Sequence, residues 1–153
     1  MTINDELQAL IKLLNEAGIE YALCGGLAMA VHGWPRTTMD IDMLIEKKDL
    51  TAVRKIVKSL GFRHEAHDMS FNKGKIQIHR LVKLAGEEAI PLDLLIVTSA
   101  LRSAWEQRTT LESGYGPVCV VSTKGLTMMK IMRKSGQDKD DIRKLKGKNV
   151  SKN

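Results

Sequence analysis

Aromatic residues make up only 4% of this 153-residue chain, which also has just two cysteines and three prolines. Eight methionines take up part of the core volume that aromatic rings would otherwise fill, because methionine packs flexibly into irregular gaps. Two cysteines are too few for a disulfide framework. Cys24 and Cys119 each lie in an apolar run, which predicts two buried thiols in a reducing, cytoplasmic protein.

Long apolar runs are missing as well. No stretch approaches the roughly 18–20 apolar residues that a membrane-spanning helix needs. The opening residues MTINDELQ carry acids where a secretory signal would carry bases, so no signal peptide is predicted. Both absences favour a cytoplasmic protein without a membrane partner.

Several common functional motifs are also absent. There is no G-x-x-x-x-G-K-[ST] sequence, which argues against a Walker-type NTPase. His64 and His67 are spaced as H-x-x-H, but a zinc site needs more ligands at defined spacing. Gly114 and Gly116 precede an apolar strand instead of following one, so they do not form a dinucleotide-binding fingerprint.

The length fits one domain, which we place at residues 1–147, followed by a flexible tail at 148–153. An apolar share of 43% and a charged share of 27% are ordinary for a globular protein. The net charge of +6 allows polyanionic partners such as nucleotide phosphates or RNA. A solvated basic surface explains the same charge equally well.

The chain alternates between helical and extended patterns. Leu7, Leu10, Ile11 and Leu14 form one apolar stripe, which predicts a helix over 5–16 capped by Asn4. Further helices are predicted in LAMAVHG and over 50–60, 99–107, 123–132 and 138–146. Strands are predicted in YALC, MDIDMLI, PLDLLIV and PVCVVS, and over 69–71 and 76–84. This order predicts an α/β (α+β) fold, with a mixed sheet of about five strands and helices mainly on one face.

Two aspartates alternate with apolar residues in MDIDMLI. On a strand, Asp40 and Asp42 would point to the same side, with their Cα atoms about 6.5–7 Å apart. Two carboxylates that close repel each other, and a divalent cation such as Mg²⁺ or Mn²⁺ removes the repulsion. Alternatively, both side chains face water while Ile41 and Met43 face the core.

Asp93 stands alone in the apolar run IPLDLLIV. A carboxylate inside a buried strand is costly unless it is paired or bound to metal. If this strand lies beside MDIDMLI, three carboxylates converge in an arrangement suited to metal-assisted phosphoryl transfer. The alternative is a strand end exposed to solvent.

Gly25 and Gly26 stand between a predicted strand and a predicted helix. Without side chains there, backbone N–H groups can approach phosphate oxygens. An ordinary tight turn explains the pair equally well.

The spacing of these features resembles a known family. Two glycines, then 13 residues, then Asp-apolar-Asp-apolar and a later apolar-Asp-apolar strand are similar to the signature of the DNA polymerase β-like nucleotidyltransferase superfamily. CGGLAMAVHGWPRTTMDIDMLI resembles the bacterial and archaeal branch that includes the AbiEii-type abortive-infection toxins. GLTMMKIMRKSGQDKDDIRKL resembles the closing segment of the family. The resemblance implies a nucleotidyltransferase palm-like fold in a minimal, single-domain member.

The resemblance also assigns roles to acidic residues. Asp40 and Asp42 match metal ligands. Asp93 matches the third carboxylate, which is a metal ligand and the candidate base for the incoming hydroxyl. Asp138 and Asp141 match spaced aspartates of the closing segment, although helix capping and surface solvation explain them equally well.

The remaining assignments concern the nucleotide. By the resemblance, Gly25 and Gly26 hold the triphosphate, and Lys130 neutralises phosphate charge as a point cation. Arg36 adds to that charge, or it is a solvent-facing base in a loop.

The implied function is therefore transfer of an NMP from an NTP to a hydroxyl on RNA, protein or a small molecule, with Mg²⁺ or Mn²⁺ as cofactor. A second hypothesis is a non-catalytic or weakly catalytic toxin–antitoxin or defence module that binds nucleotide, RNA or a partner protein encoded nearby. A third is a nucleotide-binding relative without turnover.

Overall fold

The computed structural model describes residues 2–34, 37–114 and 116–133. The described elements are, in chain order, α1 (Ile3–Glu16), β1 (Ala22–Cys24), α2 (Gly25–Val31), β2 (Ile41–Ile45), α3 (Leu50–Ser59), β3 (Phe62–Glu65), β4 (Met69–Phe71), β5 (Ile76–Ala85), β6 (Glu88–Ile96), α4 (Arg102–Glu106), β7 (Thr109–Ser113), β8 (Gly116–Val120) and α5 (Thr123–Arg133). The helix predicted over 138–146 and the tail lie outside the described residues. The single-domain boundary at residue 147 stays a prediction.

The strands form one mixed sheet, which confirms the predicted fold class. The strand order is β3-β5-β6-β2-β1-β8-β7, and β4 pairs with β5 as well. Two neighbouring pairs are parallel, β2 with β6 and β1 with β8, and the other pairs are antiparallel. The two central strands β2 and β6 are therefore hydrogen-bonded on both sides.

The core lies on both faces of these central strands. All five residues of β2 are buried, and so are the last five of β6. Continuous burial explains their nearly unbroken apolar sequences, because a strand covered on both faces cannot alternate with polar residues. On one face, Lys83 contacts Glu6 of α1 and His79 contacts Arg54 of α3. Helix α5 covers the opposite face, where it packs near Asp42 and Leu95.

The described sheet has eight strands, more than the five or so predicted. The additional strands include β3 and β7, whose side chains are mostly exposed. Both lie at edges of the sheet, where apolar side chains are not required on either face. Their sequences FRHE and TTLES consequently lack the apolar periodicity on which strand prediction depends.

Helix α1 begins earlier than its apolar stripe predicts. Its N-cap is Thr2, not Asn4. The Thr2 hydroxyl accepts a hydrogen bond from the backbone N–H of Asp5, and the Asp5 carboxylate accepts one from the backbone N–H of Thr2. This reciprocal capping box satisfies two backbone donors that the helix leaves open, which favours Thr2 over Asn4 as the start.

Both cysteines are free thiols. Cys24 is fully buried, as predicted, whereas Cys119 is only half-buried on β8. Among the described residues, no helix combines the length and the apolar character that a membrane crossing requires.

A buried ion pair ties α1 to the sheet. Glu6 is 1% exposed, and both of its carboxylate oxygens accept hydrogen bonds from Lys83 Nζ, at 3.0 and 2.8 Å. A buried carboxylate that loses its only cation keeps its desolvation penalty without the compensating attraction. The pair is therefore a point at which a single substitution damages the fold.

We expect Lys83→Met to lower the free energy of unfolding by about 3 kcal/mol, because it keeps the aliphatic stem but leaves the Glu6 charge buried alone. Urea denaturation measures the change. Lys55→Met, at an exposed position on α3, is the matched control and should change stability by less than about 0.5 kcal/mol. Equal losses in the two variants would contradict the prediction.

Candidate active site

Three aspartates from two neighbouring strands meet at one place in the sheet. Asp42 on β2 lies directly opposite Asp93 on β6 in the parallel ladder, and Asp40 stands just before β2. One carboxylate oxygen from each residue lies within 4.8 Å of the others. The structure thus brings together the three acids singled out from the sequence, although Asp40 precedes the regular strand.

Asp93 is the most deeply buried of the three, at 1% exposure. Arg80 on β5 is its register partner and donates two hydrogen bonds to it. Arg80 Nε lies 2.6 Å from one carboxylate oxygen, and Nη2 lies 2.9 Å from the other. This two-point contact compensates the burial of Asp93 and raises the pKa of Arg80.

Arg80 was not predicted as a site residue. Its sequence signal is the alternation I-x-I-x-R in β5, in which Ile76 and Ile78 are buried and Arg80 follows on the same side of the strand. An arginine in line with buried residues indicates a buried acidic partner.

Asp42 is buried but carries a strongly perturbed carboxyl group. Its pKa is raised to about 8, mainly by burial and then by the negative charges of Asp40 and Asp93. Arg133 and Lys130 on α5 oppose the shift, in that order. Without a bound metal, the ionised form of Asp42 is therefore less favourable than it would be in water. A divalent cation bound at these oxygens would remove that free-energy penalty.

Asp40 is half-buried and contacts a neutral donor. The Thr38 hydroxyl donates to an Asp40 carboxylate oxygen at 3.1 Å. Together the three acids offer the hard oxygen ligands that suit Mg²⁺ or Mn²⁺.

The glycine pair has a different setting from the one predicted. Gly25 and Gly26 are the first residues of α2, not a turn before it. Gly25 has φ +67°, and a Cβ atom there would lie 2.2 Å from Oδ2 of Asp42. Glycine is therefore required at position 25 so that the Asp42 carboxylate can lie against the backbone. Phosphate binding by the pair stays a prediction.

Two cations of α5 face the acids. Lys130 is buried at 9% exposure, and it lines a cavity of about 20 Å³ together with Asp42, Gly25 and Arg133. Arg133 was missed in the sequence, where its only signal is a spacing of three residues from Lys130, which places both on one side of a helix. Arg36, Asp138 and Asp141 lie outside the described residues, so their predicted roles stay predictions.

The fold is shared with solved structures that include a lincosamide antibiotic adenylyltransferase. The chain superposes on the lincosamide antibiotic adenylyltransferase LnuA, in its lincomycin-bound crystal structure, with a TM-score of 0.64 and 18% identity, over 93% of this chain and 95% of that one. For ANT(2″)-Ia in complex with adenylyl-2″-tobramycin, the TM-score is 0.63 and the identity 15%, over 96% and 89% of the two chains. The Thermotoga maritima protein TM1012 gives 0.59 and 15%, over 97% and 96%.

No protein-family model matches the sequence, and no curated protein matches it significantly. At 15–18% identity the structural likeness establishes the fold. The AbiEii-type branch and the roles of the individual site residues stay predictions.

We expect Gly25→Ala to cost about 2–4 kcal/mol of stability and to displace the Asp42 carboxylate, because the new methyl group cannot coexist with Oδ2. Gly18→Ala is the matched control, since Gly18 has φ +70° but open space around the added carbon. Its cost should be the backbone strain alone, about 1–2 kcal/mol. Thermal unfolding of both variants measures the difference. Equal losses would show that the contact with Asp42 does not matter.

We expect the metal-free protein to lose stability as the pH rises from about 4 to about 8. In this interval Asp42 is already ionised in the unfolded chain but still holds its proton in the folded one, so folding takes up a proton. Above about pH 8 both states are ionised and the loss is complete. Asp42→Asn should remove this component, so its melting temperature should exceed that of the wild type at pH 8.5 in EDTA, and by less at pH 5.

Glu87→Gln removes an exposed carboxylate on the β5–β6 turn and should leave the pH dependence of the wild type unchanged. A wild-type pH profile in Asp42→Asn would contradict the assignment of the raised pKa to Asp42.

Proposed function

We propose that the protein is a metal-dependent nucleotidyltransferase that transfers an NMP from an NTP to a hydroxyl group of a small molecule and releases pyrophosphate. The observation that supports this most strongly is the convergence of Asp40, Asp42 and Asp93 within 4.8 Å, where the start of β2 lies beside the middle of β6. Carboxylate oxygens gathered this closely are the hard ligands that would hold a divalent cation such as Mg²⁺ or Mn²⁺.

The basic residues near the acids support the binding of a triphosphate. Lys130 and Arg133 bring two positive charges to the same part of the sheet. We propose that these two cations bind phosphate oxygens, with Arg36 as a further candidate. Gly25 and Gly26 are further candidates for phosphate contact through their backbone N–H groups, while the Cβ position of Gly25 is filled by the Asp42 carboxylate.

The reaction is a displacement at the α-phosphorus. The hydroxyl oxygen of the acceptor forms the new bond, the bond from the α-phosphorus to the bridging oxygen breaks, and pyrophosphate leaves with that electron pair. The hydroxyl proton passes to a carboxylate, for which Asp93 is the candidate, and then to solvent. Asp40 and Asp42 would hold the divalent cation, which would supply positive charge to offset that of the reacting phosphates. Lys130 and Arg133 stabilise the charge that develops on the departing phosphates.

A small-molecule acceptor is favoured by the structures that share the fold. The two adenylyltransferase structures contain lincomycin and adenylyl-2″-tobramycin. This chain overlaps at least 89% of each of them. ATP is accordingly the first nucleotide to test, and hydroxyl-bearing antibiotics are the first acceptors.

The test is transfer of label from α-³²P-ATP, with Mg²⁺ or Mn²⁺, to lincomycin, tobramycin and a wider panel of hydroxylated small molecules. We expect labelled product with the wild type and a loss of about a thousandfold in Asp42→Asn, because metal stabilisation of the transition state is worth several kcal/mol. Glu87→Gln is the control that removes an exposed carboxylate and should retain full activity.

Failure to label any small molecule, RNA or protein from any of the four NTPs, with either metal, would contradict the proposed enzyme. In that case two alternatives would remain, a nucleotide-binding relative without turnover and a non-catalytic toxin–antitoxin or defence module. The second predicts a cellular effect that survives Asp42→Asn.

A further inference from the structure

The negative charges of the three aspartates are compensated by different groups. Asp93 is held at both oxygens by Arg80, at 2.6 and 2.9 Å. Asp40 accepts a hydrogen bond from the neutral hydroxyl of Thr38. Asp42 has the positive charges of Lys130 and Arg133 nearby on another element. A guanidinium bound directly to one of three converging carboxylates thus divides the acids into a pair, Asp40 and Asp42, and a separately compensated Asp93.

The contact between Arg80 and Asp93 is built into the sheet. Arg80 and Asp93 are register partners on the antiparallel strands β5 and β6, so their side chains start from adjacent backbone positions on one face. Asp93 is 1% exposed, whereas the Arg80 side chain is 32% exposed. The guanidinium is partly exposed while its carboxylate partner is buried, and its loss would leave an uncompensated charge inside the sheet.

A second divalent cation at Asp93 would have to share the carboxylate with this guanidinium. Both oxygens already accept a hydrogen bond from a group that carries a full positive charge. A doubly charged ion on the same oxygens would lie within a few ångströms of that charge, in a site screened only weakly by water. Asp40 is held by a neutral hydroxyl, and Asp42 remains costly to ionise beside Lys130 and Arg133, so a divalent cation is more favourable at these two carboxylates than at Asp93.

We propose that Arg80 is the fixed counter-cation of Asp93 and takes the place of a second divalent cation, so that the site binds a single Mg²⁺ or Mn²⁺, at Asp40 and Asp42. The inference rests on the proposed function and deepens it. Each oxygen of Asp93 retains a further lone pair, with which the residue accepts the hydrogen bond of the acceptor hydroxyl. Arg80 is a positioning residue, because it acts through Asp93.

The decisive measurement counts Mn²⁺. Equilibrium dialysis of the protein saturated with the α,β-methylene analogue of ATP gives the number of Mn²⁺ ions bound per chain. We expect one in the wild type and one in Arg63→Met, which removes an exposed arginine from β3. We expect two in Arg80→Met, because the Asp93 carboxylate then lacks its cation. Arg80→Met combined with Asp93→Asn should return the count to one.

Two ions in the wild type would overturn the inference and leave the proposed function intact. One ion in both the wild type and Arg80→Met would also overturn it, since Arg80 would then not exclude the second ion. No bound ion in the wild type would sink the metal-dependent function together with the inference. If Arg80→Met fails to fold, the wild-type count alone decides.

Kinetics supply an independent readout of positioning. Arg80→Lys keeps the charge but cannot hold two oxygens in a fixed plane. We expect kcat to fall at least tenfold, with less than a threefold change in the KM for ATP, because only the orientation of Asp93 is altered. A raised KM with an unchanged kcat would show that Arg80 binds nucleotide and would overturn its role as a positioning residue.

Discussion

The parallel pairing of β2 with β6 is the constraint on which the site depends. It sets Asp42 beside Asp93, and β5 continues the same row with Arg80. Side chains alternate along a strand, so a shift of one residue in either pairing would send one acid to the opposite face. The apolar residues that flank both acids fix the register, since any slip would move them out of the core as well. The hydrophobic pattern of two strands therefore determines the chemistry of the site.

The site also shows how a buried sheet accommodates charge. Each acid that the strands bury has a partner on a different element: β5 supplies Arg80, and α5 supplies Lys130 and Arg133. The compensation at Asp42 is incomplete, and its raised pKa records the remaining cost of ionisation. That remainder indicates a place where a cation from solution is favoured. At Asp42, the proposed role requires an ionised carboxylate that burial makes costly. At Asp93, the contact with Arg80 both compensates the buried charge and holds the carboxylate for its proposed role.

Much of the fold was predictable because its interior elements carry strong periodicity. The burial of Asp93 beside a charged partner was predictable because a lone carboxylate in an apolar strand requires one, and its role in a site stays a prediction. Arg80 was missed because its contact with Asp93 depends on how β5 pairs with β6. The sequence of β5 alone does not reveal that pairing. Edge strands β3 and β7 were missed because most of their side chains are exposed to solvent. Their sequences therefore lack the alternation of apolar and polar residues that predicts a strand. The reason for glycine at position 25 is likewise tertiary, as it is the proximity of the Asp42 carboxylate.

The two parallel pairings have a consequence for how the protein is made. β2 pairs with β6, and β1 pairs with β8. In each pair the second strand lies far along the chain from the first. Such pairings close large loops and form slowly. During synthesis the acids would emerge well before the helix that carries Lys130 and Arg133, so a growing chain would hold Asp42 without its positive neighbours. The candidate site is therefore completed late, when α5 docks onto the finished sheet.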